Sequence, residues 1–203
     1  MNAFETSLAN MIGCEALTKI QSFKIGIAGA GGLGSNCAVH LVRSGFIDFT
    51  IADFDVLEPS NLNRQYYFSR QIGSLKVEML RKNLTAINPA AQIHTVAQKL
   101  DTDDFSRVFA DCHVVIEAFD KAEYKKKVIE ALLSSDKLLV GASGLAGMGD
   151  SDAITIHQIK ERFFLIGDLV TGVGVDQPPL APRVAVAAAK QADVVLRYAL
   201  GMI

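Results

Sequence analysis

Six residues near the start, Gly29-Ala30-Gly31-Gly32-Leu33-Gly34, limit what this chain can fold into more than any others. An apolar run, Lys24-Ile25-Gly26-Ile27-Ala28, precedes them, and an apolar stretch extends after them to about Gly45. A strand-turn-helix unit with this spacing turns tightly at the first glycine. It admits a phosphate against the backbone at the second and seats the helix on the strand at the third. Gly29, Gly31 and Gly34 are therefore expected to form a nucleotide-binding turn. The helix start supplies N–H groups and a favourable dipole for an anion. Asp53 closes the next apolar run, Phe49-Thr50-Ile51-Ala52, where a carboxylate can accept hydrogen bonds from ribose hydroxyls.

The remaining pattern extends this start into an α/β, doubly wound, Rossmann-like sheet with helices on both faces. Strands are predicted at 93–97, 113–118 and 137–142, alternating with helices at 73–88, 103–110 and 121–133. Continuous apolar runs such as Val114-Val115-Ile116 suit parallel strands buried on both faces. Residues 153–159 alternate like a half-exposed strand and 163–167 form a last one, which makes the sheet parallel in its N-terminal part with a mixed C-terminal extension. Phe4, Leu8, Met11, Ile12 and Ile20 predict one amphipathic helix over 1–22. The glycine- and proline-rich segment 141–182 predicts a mobile loop over the site, and an alanine-rich helix over 181–200 closes the chain. One domain over 1–203 is expected, with a nucleotide-binding half at 23–143 and a partner-binding region at 144–203.

Net charge is −2 with 50% hydrophobic residues, so no basic field is present to gather nucleic acid. No apolar run reaches the roughly 18 residues of a membrane span. The expected location is the cytoplasm. Cys14, Cys37 and Cys112 are too scattered for a disulfide framework or a paired-cysteine zinc site and read as reduced core thiols. The four histidines lack metal-ligand spacing and read as structural, and Lys125-Lys126-Lys127 reads as a solvated helix face.

The residues after Asp53 separate the possible functions. A loop over 58–70 carries Asn61 and Arg64, and Lys76 follows it. Cations just beyond a ribose-binding acid suit a triphosphate and have no task in nicotinamide hydride transfer. Asp120 ends the strand at 113–118. It is placed to hold Mg²⁺, which favours oxygen ligands, or to cap the helix that follows.

Taken together, Gly29-Ala-Gly-Gly-Leu-Gly-Ser35, Asp53-x-Asp55, Ser60-Asn-Leu-Asn-Arg-Gln65, Gly73-x-x-Lys76 and Asn88-Pro89 resemble the adenylation domain of the ThiF/MoeB family, within the ubiquitin-activating-enzyme superfamily. The short length and the segments Phe164-Leu-Ile-Gly-Asp168 and Ala181-Pro-Arg-Val-Ala185 look most like small ThiF-type adenylyltransferases that act on the sulfur carrier ThiS in thiamine biosynthesis. The resemblance implies that Gly32 lies against ATP, Asp53 holds the ribose, and Asn61, Arg64 and Lys76 contact the phosphates. Asp120 would hold Mg²⁺. The implied partner is a ubiquitin-like carrier ending in Gly-Gly, whose carboxylate attacks the α-phosphate, and the implied assembly is a homodimer. Family members often carry two CxxC pairs for zinc; this chain has neither, so no zinc is expected. No arginine precedes Arg43, which leaves Lys19 as the substitute for an N-terminal arginine supplied by a second subunit. The alternatives are a carrier-docking scaffold without chemistry and an NAD-dependent oxidoreductase.

Overall fold

The structure is a computed structural model that describes residues 1–172, 174 and 177–203. Strands β1 (Lys24–Ala28), β2 (Asp48–Ala52), β3 (Gln92–Val96), β4 (Val114–Glu117), β5 (Leu138–Ala142), β6 (Thr155–Lys160) and β7 (Phe163–Gly167) form one sheet in the order β3-β2-β1-β4-β5-β7-β6. All neighbours run parallel except β6 and β7, whose antiparallel pairing is the mixed extension expected from sequence. The chain builds outward from β1 to β3, then crosses back so that β4 lies on the other side of β1. Their carboxyl ends diverge there, and that gap is where doubly wound sheets place ligands.

Among the described residues seven α-helices surround the sheet: α1 (Ala3–Ile12), α2 (Cys14–Gln21), α3 (Gly32–Arg43), α4 (Lys76–Ile87), α5 (Thr102–Val108), α6 (Ala122–Leu132) and α7 (Ala181–Leu200). Strand alternation sorts the core into two layers. Ile25, Ile27, Val114 and Ile116 pack with Leu41 of α3, Leu80 of α4 and Val195 of α7. Ala28, Val115 and Leu139 pack with Phe105 of α5, with Phe109 at the end of that helix and with Val128 of α6.

The single N-terminal helix predicted over 1–22 is two helices. Gly13 has φ +89°, a backbone state that ends α1, and α2 begins directly after it. Met11 and Ile12, predicted to be on the apolar stripe, are exposed. Cys14 is exposed as well, because α2 turns Leu17 and Ile20 inward; only Cys37 and Cys112 are core thiols. The segment 141–182 is less open than its composition suggests, since β6 and β7 occupy much of it. Lys125 and Lys127 also depart from a solvated face: each side chain is about three-quarters buried and ion-paired.

Candidate nucleotide-binding site

The glycine turn is fixed from below by backbone bonds and from the side by Asp53. Gly29 takes φ +104° and its N–H donates to the Ala52 carbonyl at 2.8 Å. Asp53 is buried, and its two carboxylate oxygens accept from the Ala30 N–H at 2.6 Å and the Asp55 N–H at 2.8 Å. Each oxygen retains a lone pair that a ribose hydroxyl can meet. Burial pushes the Asp53 carboxyl above its ordinary pKa, opposed by the nearby Lys76 charge and by the two amides. Helix α3 starts at Gly32 without a side-chain cap, so its first-turn N–H groups stay available to an anion.

A cleft of about 820 Å³ lies over this turn. Gly29, Gly31, Gly32, Asp53, Arg64, Lys76 and Asp120 all line it, which brings together most of the residues singled out from sequence. Gly34 lies behind it and serves packing. The Lys76 ammonium is buried and lies 2.7 Å from Asp55, and the Arg64 guanidinium bonds Asn63 Oδ1 at 2.7 Å. Asn61 departs from its expected place among the phosphate contacts. Its side chain turns inward, accepting from the Glu58 N–H at 3.1 Å, and does not line the cleft. Asp120 is exposed at the cleft rim, and the residue capping α6 is Lys121, without a side-chain bond, so the capping role predicted for Asp120 is not realised. Lys19 lies near Gly201, at the far end of α7, away from the cleft of its own chain.

Sequence reasoning missed three groups. Phe54, Phe119 and Tyr124 line one end of the cleft with ring centroids 5.4 to 6.0 Å apart, a surface suited to a planar base. Tyr67 donates its hydroxyl to the Ala30 carbonyl at 2.7 Å and so braces the glycine turn from the loop that carries Arg64. Glu117, at the end of β4, is fully buried and paired with Lys125 at 2.9 Å. The opposite wall is formed by Ser143 to Ala146, Leu169 to Gly172 and Pro178-Pro179, mostly small or apolar residues.

Among the described residues no three His, Cys, Asp or Glu side chains gather as a metal site. Mg²⁺ does not require such a cage, because one carboxylate with phosphate oxygens and waters suffices. Asp120, exposed and lining the same cleft as the glycine turn, fits that donor set.

The ThiF family profile matches residues 4–201. The chain belongs to the ThiF family. This ThiF-family chain is 30% identical over 142 residues to the adenylyltransferase and sulfurtransferase UBA4 of Candida glabrata, covering 70% of the chain and 33% of that protein. It is 33% identical over 138 residues to SUMO-activating enzyme subunit 2 of Dictyostelium discoideum, covering 67% and 21%. The chain thus spans about a third or less of these relatives' length. In fold it matches E. coli tRNA N6-threonylcarbamoyladenosine dehydratase, TcdA, in complex with AMP, with TM-score 0.87 at 20% identity over 97% of this chain and 94% of that one. E. coli MccB with ATP matches with TM-score 0.73 at 20% identity over 93% and 58%.

Proposed function

We propose that this ThiF-family chain is an adenylyltransferase. It binds ATP and activates the C-terminal glycine carboxylate of a ubiquitin-like sulfur carrier, of the ThiS type that serves thiamine biosynthesis. The observation that carries this reading is that Arg64 and Lys76 share one cleft with the glycine turn and Asp53. Asp53 would accept from the ribose, the aromatic end would take the adenine, and the start of α3 with Arg64 and Lys76 would take the phosphates. Asp120 would hold Mg²⁺, which adds charge neutralisation at the phosphate oxygens when bound. A carboxylate oxygen of the carrier attacks the α-phosphorus, the new bond is the mixed acyl-phosphate anhydride, and the α–β bond breaks to release pyrophosphate. No proton is transferred in that step. The demand on the protein is therefore placement and charge stabilisation, which Arg64 and Lys76 meet.

The names of the relatives support the same direction, since UBA4 is an adenylyltransferase and both MccB and TcdA are described with adenine nucleotides. The small and apolar wall opposite the glycine turn suits an extended tail of small residues such as Gly-Gly. We place 1–203 in one adenylation domain that works as a homodimer in the cytoplasm, the exposed Met11 and Ile12 of α1 offering apolar surface to a second copy. The deciding experiment is exchange of labelled pyrophosphate into ATP with purified ThiS, and with the small subunit of molybdopterin synthase as the competing carrier. Carrier-dependent exchange is expected with ThiS. ATP binding without exchange for any carrier would point to a docking scaffold, and NAD binding in place of ATP to an oxidoreductase.

A further inference from the structure

Lysines 125, 126 and 127 have the same residue type but different surroundings. Lys126 is exposed and 3.6 Å from Glu130, and Lys127 spans to Asp101 at 2.8 Å and Glu123 at 3.4 Å. Lys125 alone of the three lines the cleft. Its ammonium reaches Glu117 Oε2 at 2.9 Å, Glu117 Oε1 at 3.2 Å and the Ala142 carbonyl at 3.0 Å. Three acceptors on three protons leave the ammonium fully engaged. Those acceptors end two neighbouring strands, β4 and β5. Glu117 Oε1 also accepts from the Phe119 N–H at 2.8 Å, one residue before Asp120. On the other strand, Ala142 leads directly into Ser143 and Gly144 of the opposite wall.

We propose that Lys125 is a positioning residue for the cleft: it clamps Glu117 to the Ala142 carbonyl and so fixes the loop carrying Asp120 against the loop carrying Ser143 and Gly144. The inference rests on the nucleotide reading of the cleft and adds to it how the two lips are held in register.

Stability alone is a weak reason for this arrangement. Two charges taken out of water gain little over apolar side chains of the same volume, whereas losing one partner leaves the other buried and uncompensated. What the pair supplies is geometry. The bonds from Lys125 to Glu117 and to Ala142 form together only when the ends of β4 and β5 keep their present spacing, and Gly141 brings β5 close, since a β-carbon there would stand 3.4 Å from Glu117 Oε2. Metal-bound phosphate at Asp120 and an acceptor carboxylate entering past Ser143 would meet across this clamp, where a displacement of about 1 Å is enough to cost roughly a hundredfold in rate.

The test compares wild type, K125M, K125R and the charge-free double variant E117Q/K125M. Each is melted thermally and titrated with ATP by calorimetry, without divalent cation and with Mn²⁺ as the probe. Wild type is expected to bind ATP more tightly with Mn²⁺. K125M should keep its metal-free ATP affinity but lose at least about tenfold of the Mn²⁺-dependent gain, and K125R, which still offers donors to both acceptors, should keep most of it. The double variant should regain the melting temperature lost by K125M without regaining the Mn²⁺ effect. Recovery of both together, or an intact Mn²⁺ gain in K125M, would overturn the clamp and leave a structural ion pair. A wild type that binds ATP with no metal effect would overturn the clamp alone, and one that binds no ATP would overturn the nucleotide reading and the clamp with it.

Discussion

The Lys76 ammonium lies 2.7 Å from the Asp55 carboxylate, the lysine side chain buried and the aspartate half exposed. A lysine so held is already aimed into the cleft, and a phosphate needs only to displace a solvent-accessible carboxylate to engage it. Lys76→Ala and Arg64→Ala are each expected to lower carrier-dependent pyrophosphate exchange by about 10² to 10³, the usual loss for one preorganised charge-stabilising donor. Melting temperature should separate them. Among the described residues the Arg64 guanidinium bonds Asn63 and Ser60, both on its own loop, so its variant should melt like wild type, whereas Lys76→Ala should melt lower because it opens buried volume. Normal exchange in both variants would remove these residues from the chemistry.

Asp53→Ala removes the acceptor for two backbone amides and, on the proposed reading, for the ribose, so ATP affinity measured by calorimetry should fall at least about tenfold. The pH dependence has a definite sign. Because burial raises the Asp53 pKa, the folded protein takes up this proton at a pH where an ordinary aspartate has lost it. ATP affinity should therefore weaken on the acid side at higher pH than an exposed aspartate would dictate. The same raised pKa means that this group's contribution to stability declines as pH rises from 3.8 through the raised value. Affinity that stayed flat down to pH 4 would show that the charged form of Asp53 is not what binds.

Asp168 has the opposite behaviour. Burial pushes its carboxyl up, but bonds from Thr171, from the Val170 N–H and from Arg183 outweigh burial and bring it to about 2. The stabilisation is complete above the ordinary value of 3.8 and is lost as pH falls from there towards 2. Asp168→Asn should melt below wild type at neutral pH, with the gap closing over that acid interval. A gap that persisted unchanged at pH 2 would mean that the carboxylate's charge is not its source.

A β-carbon at Gly34 would stand 1.8 Å from the Gly29 carbonyl oxygen, whereas one at Gly32 would meet Val184 Cγ1 at 3.0 Å. Backbone cannot yield as a side chain can. Gly34→Ala is expected to cost more than about 3 kcal/mol, enough to leave little folded protein, and Gly32→Ala to remain folded while binding ATP less well. Circular dichroism beside calorimetry decides this, and a well-folded Gly34→Ala would contradict the packing of α3 on β1.

Burial pushes the Cys37 thiol far up and Cys112 to about 11, while Cys14 is exposed on α2. A colorimetric thiol reagent should therefore modify one cysteine per native chain quickly and all three after denaturation. Elemental analysis of the purified protein should find no stoichiometric zinc.

The sequence made legible whatever depends on local periodicity and on glycine. Strand limits, the turn at Gly29 and the acid at Asp53 follow from spacing, because each is set within one strand-turn-helix unit. What it hid depends on neighbours distant along the chain. Lys125 could not be told from Lys126 and Lys127 without knowing that β4 and β5 end beside it, and Asn61 resembled a ligand until its loop curled back onto Glu58. Glu117 did leave a signal: an acid ending the run Val-Val-Ile in a buried parallel strand has to find a cationic partner.

Helix α7 packs along α3, its Val184 lying over Gly32 and its Gln191 bonding the Glu117 carbonyl at 3.3 Å. The glycine turn is made by residues 29–34, yet the surface that backs it comes from residues 181–200. During synthesis the turn leaves the ribosome some 150 residues before the helix that completes it. A nascent chain should accordingly be blind to nucleotide until α7 has emerged and docked. A fragment ending before residue 181 would carry every residue of the motif and still lack a finished site.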